Sequence, residues 1–167
     1  MFYEIVELQD ISGPECTIYS VIPKGSELTL FEAFVEENIK DYTFEIDDIY
    51  QRLKTIGNKF GARESFFKHF EGKPGDNVCA MFDIPNKNLR LYCIRYGMSV
   101  IILGSGGQKP KKIVSWQDDP VLRKEASYVI ALAEHIGNRI VKQHDLWWSK
   151  DDMHFNGDLK NYGEEDQ

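Results

Sequence analysis

Leu89–Tyr96 and Ser99–Leu103 are two runs of β-forming residues separated by little more than a Gly97 turn, and they commit the middle of the chain to an antiparallel hairpin. Upstream, Val78–Ile84 reads as a third strand, with Pro85-Asn86-Lys87-Asn88 as the turn that completes a meander. Downstream, the second run passes into Gly104-Ser105-Gly106-Gly107 and a group of lysines. From Lys87 to Lys112 there are six basic residues (Lys87, Arg90, Arg95, Lys109, Lys111, Lys112) and no acidic one, in a chain of net charge -7. That concentration predicts an anion-binding face on a small sheet, with phosphate or RNA as the anion.

The global acidity has a local origin. Residues 145–167 hold seven acids and two lysines, which leaves only about -2 of the total -7 for residues 1–144. The expected division is therefore one α+β domain over 1–144, with 1–25 as an N-terminal hairpin extension, and an acidic C-terminal tail over 145–167. A chain of 167 residues buries a real core without staples. No apolar run is long enough to cross a bilayer, and MFYEIVEL lacks the layout of a secretion signal. Cys16, Cys79 and Cys93 are odd in number and never spaced C-x-x-C, which predicts reduced thiols in a cytoplasmic protein. Cys79 and Cys93 lie in apolar runs and read as small core residues.

Around the meander, Tyr3–Leu8 and Thr17–Ile22 read as a first hairpin across a Ser-Gly-Pro turn. Thr29 and Glu32 have capping-box spacing ahead of Leu30, Phe31, Phe34, Val35 and Ile39, which predicts a helix ending near Asp41. Ile46, Ile49, Tyr50, Leu53, Ile56 and Phe60 recur at three- and four-residue steps and predict a second, closed by Gly57 and Gly61. Arg63–Phe70 fits either a short helix or an extended approach. Asp119-Pro120 supplies an N-cap and an N1 proline for a last helix, with Leu122, Ala126, Val129, Ile130, Ala133, Ile136, Ile140 and Val141 as its apolar stripe. The expected fold is a sheet of about five mostly antiparallel strands with helices on one face and the basic residues on the other.

Strand parity places Arg90 with Tyr92 and Tyr96 on one face of Leu89–Tyr96, and Arg95 with Leu89, Leu91 and Cys93 on the other. A cation beside aromatic rings suits phosphate and base, and it equally suits a solvated face whose arginine covers aromatic surface. The glycine stretch is either an anion cradle or a plain flexible hairpin. It is not a Walker A loop, because Lys109 precedes Pro110 and no Ser or Thr follows to hold magnesium. His69, His135, His144 and His154 have no metal-ligand spacing, so no metal or other cofactor is expected.

The run NLRLYCIRYGMSVIILGSGGQKPKK, followed by Pro120, Glu125 and Ala126 on a helix, resembles the RelE/HigB superfamily of bacterial toxins, and most closely its phage-derived Gp49-like branch. The resemblance spans roughly residues 28–143. It implies a RelE-like α+β fold and the toxin component of a type II toxin-antitoxin system. It further implies metal-independent mRNA cleavage, in which the substrate's own 2′-hydroxyl attacks the adjacent phosphate. On that resemblance Arg90 clamps the phosphate, and Lys109, Lys111 and Lys112 stabilise the transition state or shuttle protons. Lys87, Arg95, Tyr92 and Trp116 would contact RNA, Tyr92 or Trp116 by stacking on a base. The implied partners are a helix-turn-helix antitoxin protein and mRNA, on the ribosome or free, with no membrane. The alternative from another class is a non-catalytic RelE-like module that binds protein or nucleic acid. Under either reading, the acidic tail is expected to lie over the basic strip and compete with RNA.

Overall fold

The computed structural model describes residues 1–69, 77–81, 87–109 and 119–161. Strands β1 (Tyr3–Glu7) and β2 (Thr17–Pro23) form the first hairpin, within a residue of where alternation placed them. Helix α1 (Leu30–Asn38) starts on Thr29, whose Oγ1 accepts the Glu32 N–H at 3.0 Å and donates to Glu32 Oε1 at 2.9 Å. Helix α2 (Thr43–Thr55) runs into one π-helical turn, Ile56–Phe60, and stops where Gly61 takes φ 71°. The ambiguous stretch is both things in turn: a 3-10 turn, Glu64–Phe66, then strand β3 (Phe67–His69).

Strands β4 (Val78–Met81), β5 (Leu89–Tyr96) and β6 (Val100–Gln108) form the expected meander. Helix α3 (Pro120–Asn138) is capped by the Asp119 carboxylate, which accepts the Leu122 N–H at 2.9 Å. A π-helical turn, Arg139–Gln143, follows, and His144 leaves it in the left-handed region at φ 57°. Then come β7 (Leu146–Trp148), β8 (Phe155–Gly157) and β9 (Lys160–Asn161). No helix among the described residues is long and apolar enough to cross a membrane.

The fold is α+β, and the sheet is larger than expected: seven strands in the order β3-β4-β5-β6-β2-β1-β9. All its pairings are antiparallel except β2 with β6, which run parallel. The β2–α1–α2 segment makes that parallel pairing possible, because parallel neighbours need a long crossover. The first hairpin is therefore no appendage: β2 lies between β6 and β1 and is buried along most of its length.

Both faces of the sheet are covered, which corrects the expectation of one open face. On one side Leu89, Leu91, Cys93, Ile101 and Leu103 pack with Phe31 and Phe34 of α1 and Ile46, Ile49 and Leu53 of α2. On the other, Val78, Ala80, Tyr92, Ile94, Val100 and Ile102 pack with Leu122, Ala126, Val129, Leu132 and Ile136 of α3. Parity along β5 is as read from the sequence, but the second face is a second core. Sequence periodicity gave α3 an apolar stripe without saying where it would dock, and a stripe of this width buries itself against the nearest apolar sheet face. Val141, assigned to that stripe, is 70% exposed, five residues past Ile136 and so round the side of the helix from the buried face.

The C-terminal stretch read as an acidic tail is built into the domain as far as Asn161. Leu146 and Phe155 are buried, and Trp148 stacks on Phe155 with ring centroids 4.4 Å apart. Strand β9 then adds to the free edge of β1, a covered edge being less prone to stray pairing. Up to Asn161 these residues lie along β1 and on the α3 side of the sheet, not over the basic strip.

Candidate functional site

Backbone pairing brings three of the cations to one end of the sheet. Arg90 sits opposite Gly107, and the Lys109 N–H donates to the Asn88 carbonyl at 2.7 Å, so Lys87, Arg90 and Lys109 lie within a few residues of one another on β5 and β6. All three are half-buried. Lys111, Lys112 and Trp116 lie outside the described residues.

This end is not uniformly positive. The Lys87 ammonium is 3.9 Å from Asp48, which also pairs with Arg52 at 2.8 Å. The half-exposed pair tethers the Lys87 end of the strip to α2 and contributes little by itself. Buried Glu45 receives the Asn88 and Leu89 backbone N–H groups at 2.7 and 2.8 Å, and the Asn88 side-chain amide at 3.3 Å. A carboxylate from α2 thus caps the first residues of β5 and fixes where Lys87 and Arg90 begin. The cleft between α2 and this strand end is about 20 Å³, room for little more than one water. No nucleotide fits there, so an RNA contact at this end is a surface contact.

Three expected site elements lie elsewhere. Tyr92 is 0% exposed under α3, so its ring cannot stack on a base. Arg95 is at the opposite end of β5, facing α2, where its Nε donates to the Ala62 carbonyl at 2.6 Å and fastens the turn after α2. Gly104-Ser105-Gly106-Gly107 is buried strand, not a loop. The register slips between Leu91 and Cys93, so β6 carries an extra residue there, a β-bulge. A Cβ on Gly104 would lie 2.5 Å from Val129 Cγ2, and one on Gly106 would lie 1.8 Å from the Arg90 carbonyl oxygen. The glycines serve close packing of α3 and β5 on β6 and leave no amide cradle open to solvent.

Two features were missed from sequence. The first is Glu125, between Leu122 and Val129 on the α3 stripe and thus over the glycine segment of β6. Burial pushes its carboxyl up, Lys124 opposes this, and the like charge of Glu37 adds to it. Among the described residues the charges that act on it are Lys124 and Glu37, not Arg90 or Lys109, so it stands apart from the cation group. The Pro120, Glu125, Ala126 spacing flagged the residue, but not its burial.

The second is a buried polar network centred on Arg139, which is 0% exposed. Its Nε donates to Asp145 Oδ1 and Oδ2 at 3.2 and 3.3 Å, one terminal nitrogen to Tyr3 Oη at 3.3 Å, and the other to the Asp158 carbonyl. The Tyr3 hydroxyl also meets His135 Nδ1 at 2.8 Å. Burial raises the Tyr3 phenol against the opposing pull of Arg139. Burial, the N-terminal amino group and Arg139 lower His135 against the pull of Asp145. The network joins β1, α3 and the C-terminal strands, and its role is to hold the last strands in place. An arginine three residues after Ile136, in line with the stripe, is the signal that pointed inward.

Among the described residues no group of three or more His, Cys, Asp or Glu side chains is placed to hold a metal ion. Comparison of the chain with family models, curated proteins and solved structures finds no match.

Proposed function

We propose that this protein is a RelE-like toxin-type domain that engages RNA phosphates at the β5–β6 end of its sheet and cleaves RNA without a metal. The observation that carries the reading is the pairing of Arg90 with Gly107 and of Lys109 with Asn88, which gathers Lys87, Arg90 and Lys109 at one strand end. Lys111 and Lys112 follow Lys109 at once in the chain and add two charges to that segment. The strand–helix–helix–meander order, with β2 parallel to β6, is compatible with a RelE-like topology.

In this mechanism the 2′-hydroxyl of the substrate attacks the adjacent phosphorus and the 5′-oxygen leaves. Arg90 and Lys109 hold the non-bridging oxygens as negative charge builds on them. Water takes the 2′-hydroxyl proton and returns one to the leaving 5′-oxygen, so the products are a 2′,3′-cyclic phosphate and a 5′-hydroxyl. A helix-turn-helix antitoxin would mask the same surface.

A second reading, a RelE-like module that binds RNA or protein without cutting it, is favoured by the burial of Tyr92 and of Gly104–Gly107 under α3, which leaves no deep cleft there. Inducible expression in a bacterial host, combined with incubation of purified protein with RNA, separates the two. Growth arrest and RNA cleavage that disappear in folded Arg90→Ala and Lys109→Ala variants support the enzyme. Healthy growth and intact but bound RNA support the binding module. Neither arrest nor binding overturns both.

A further inference from the structure

We propose that Cys79 and Cys93 form a two-electron redox pair, oxidised to an intrachain disulfide by a small oxidant of the peroxide class. The two residues are directly opposite each other on antiparallel β4 and β5, and their sulfurs are 3.4 Å apart in the reduced state. The Arg95 N–H donates to the Asn77 carbonyl, which makes Asn77–Arg95 a hydrogen-bonded pair and, two residues on, Cys79–Cys93 another. Cα atoms in such pairs are about 5.5 Å apart, inside the range of about 4.4–6.8 Å that a disulfide spans. Both side chains already point to the same core, between the sheet and α1–α2. The Cβ atoms of a hydrogen-bonded pair are about 5 Å apart, beyond the roughly 3.5–4.5 Å of a relaxed disulfide. Closing the bond therefore needs side-chain rotation and a local approach of the two strands by about 1 Å, with no change of register, and gives a strained, readily reduced bond.

The pair differs from the third cysteine in having a thiol neighbour. Cys16 is buried in the same core among backbone groups, its sulfur donating to the Thr17 carbonyl at 3.7 Å and lying against the backbone of Ala62 and Ile101. Burial holds the Cys16 thiol at a pKa of about 12. Burial and the adjacent Cys79 thiol also hold Cys93 well above the usual thiol range. Thiolate is therefore scarce at neutral pH, and oxidation is slow and speeds up as pH rises. A thiolate of the pair attacks one peroxide oxygen, the O–O bond breaks, and a sulfenic acid and water form. The second thiol then attacks that sulfur, its proton and the sulfenic hydroxyl leaving as a second water. Two thiols and one hydrogen peroxide thus give one disulfide and two waters. Cys79 and Cys93 are 1% and 0% exposed, so peroxide reaches them through local opening of the strand pair, as larger disulfide reagents must.

The ring so closed runs from Cys79 to Cys93 and includes Lys87 and Arg90. Oxidation would therefore fix the hairpin that presents two of the strip's cations, and the pair stands whether or not the strip binds RNA. The test uses the full reduced chain, treated with dilute hydrogen peroxide in native buffer, quenched with an alkylating maleimide and mapped by mass spectrometry. The expected result is loss of two hydrogens, one Cys79–Cys93 peptide, Cys16 alkylated and reversal by dithiothreitol. Oxidation should also run faster at pH 9 than at pH 7. Sulfinic acid on single cysteines, a disulfide that includes Cys16, or three thiols still alkylated when a denatured control has oxidised would each overturn the proposal. A folded Cys93→Ser variant must form no intrachain disulfide.

Discussion

Arg139 and Asp145 are partners in one ion pair, yet their removal should not cost the same. The Arg139 side chain is fully buried, whereas the Asp145 side chain is 36% exposed. In Asp145→Ala the guanidinium keeps Tyr3 and the Asp158 carbonyl as acceptors but loses the carboxylate it pairs with, and an uncompensated buried cation costs about 3–5 kcal/mol. In Arg139→Met the hydrophobic stem is replaced, Asp145 is left where water reaches it, and Tyr3 keeps His135. What remains unsatisfied is chiefly the Asp158 carbonyl, so the cost is about 1–3 kcal/mol. The predicted order is therefore the exposed carboxylate above the buried arginine, by about 2 kcal/mol. Urea unfolding followed by circular dichroism reads this directly, provided the slopes of the two variants agree. Hydrogen exchange should show the loss first in residues 145–161. An equal cost for both variants, or the reverse order, would refute the reasoning that burial of the cation dominates this network.

Other perturbations test separate parts of the fold. Gly106→Ala places a Cβ against the Arg90 carbonyl and should cost about 3 kcal/mol or more, seen as loss of soluble protein or of the thermal transition. Glu45→Ala strands the Asn88 and Leu89 N–H groups and should cost about 3 kcal/mol by chemical denaturation, with Glu45→Gln milder because it keeps one acceptor. His135 binds its proton less readily folded than unfolded, so the unfolded state takes up more protons as pH falls through its ordinary range near pH 6.5. Stability should therefore fall from pH 7 to pH 5, and His135→Asn should flatten that fall in a melting-temperature series.

Elements governed by local rules were legible in the sequence. Thr29, Asp119-Pro120 and Gly61 each mark a helix end through a neighbouring backbone group, and the structure uses all three. Strand parity correctly divided Arg90 from Arg95, because the side-chain alternation of β5 survives the bulge opposite it. What failed depended on docking. Nothing local to Gly104–Gly107 says that α3 lies against it, and a glycine run reads the same in a loop as in a strand pressed by a helix. Likewise Leu146, Trp148 and Phe155 are too few and too widely spaced for a periodic signal, yet they pack around Tyr19 and Tyr96. Charge counted along the chain located the cations, but it did not show Asp48 and Glu45 arriving beside them from α2.

Binding of a fluorescent single-stranded RNA across a salt series tests the cationic strand end most directly. Affinity should fall steeply from 50 to 200 mM salt, and Lys109→Glu with Lys87→Glu should weaken binding at least tenfold and flatten the salt slope. Arg95→Gln, at the far end of β5, should leave both unchanged as long as the variant folds. RNA affinity that is absent at low salt, or that survives the two charge reversals intact, would contradict the assignment of this end of the sheet as the working surface.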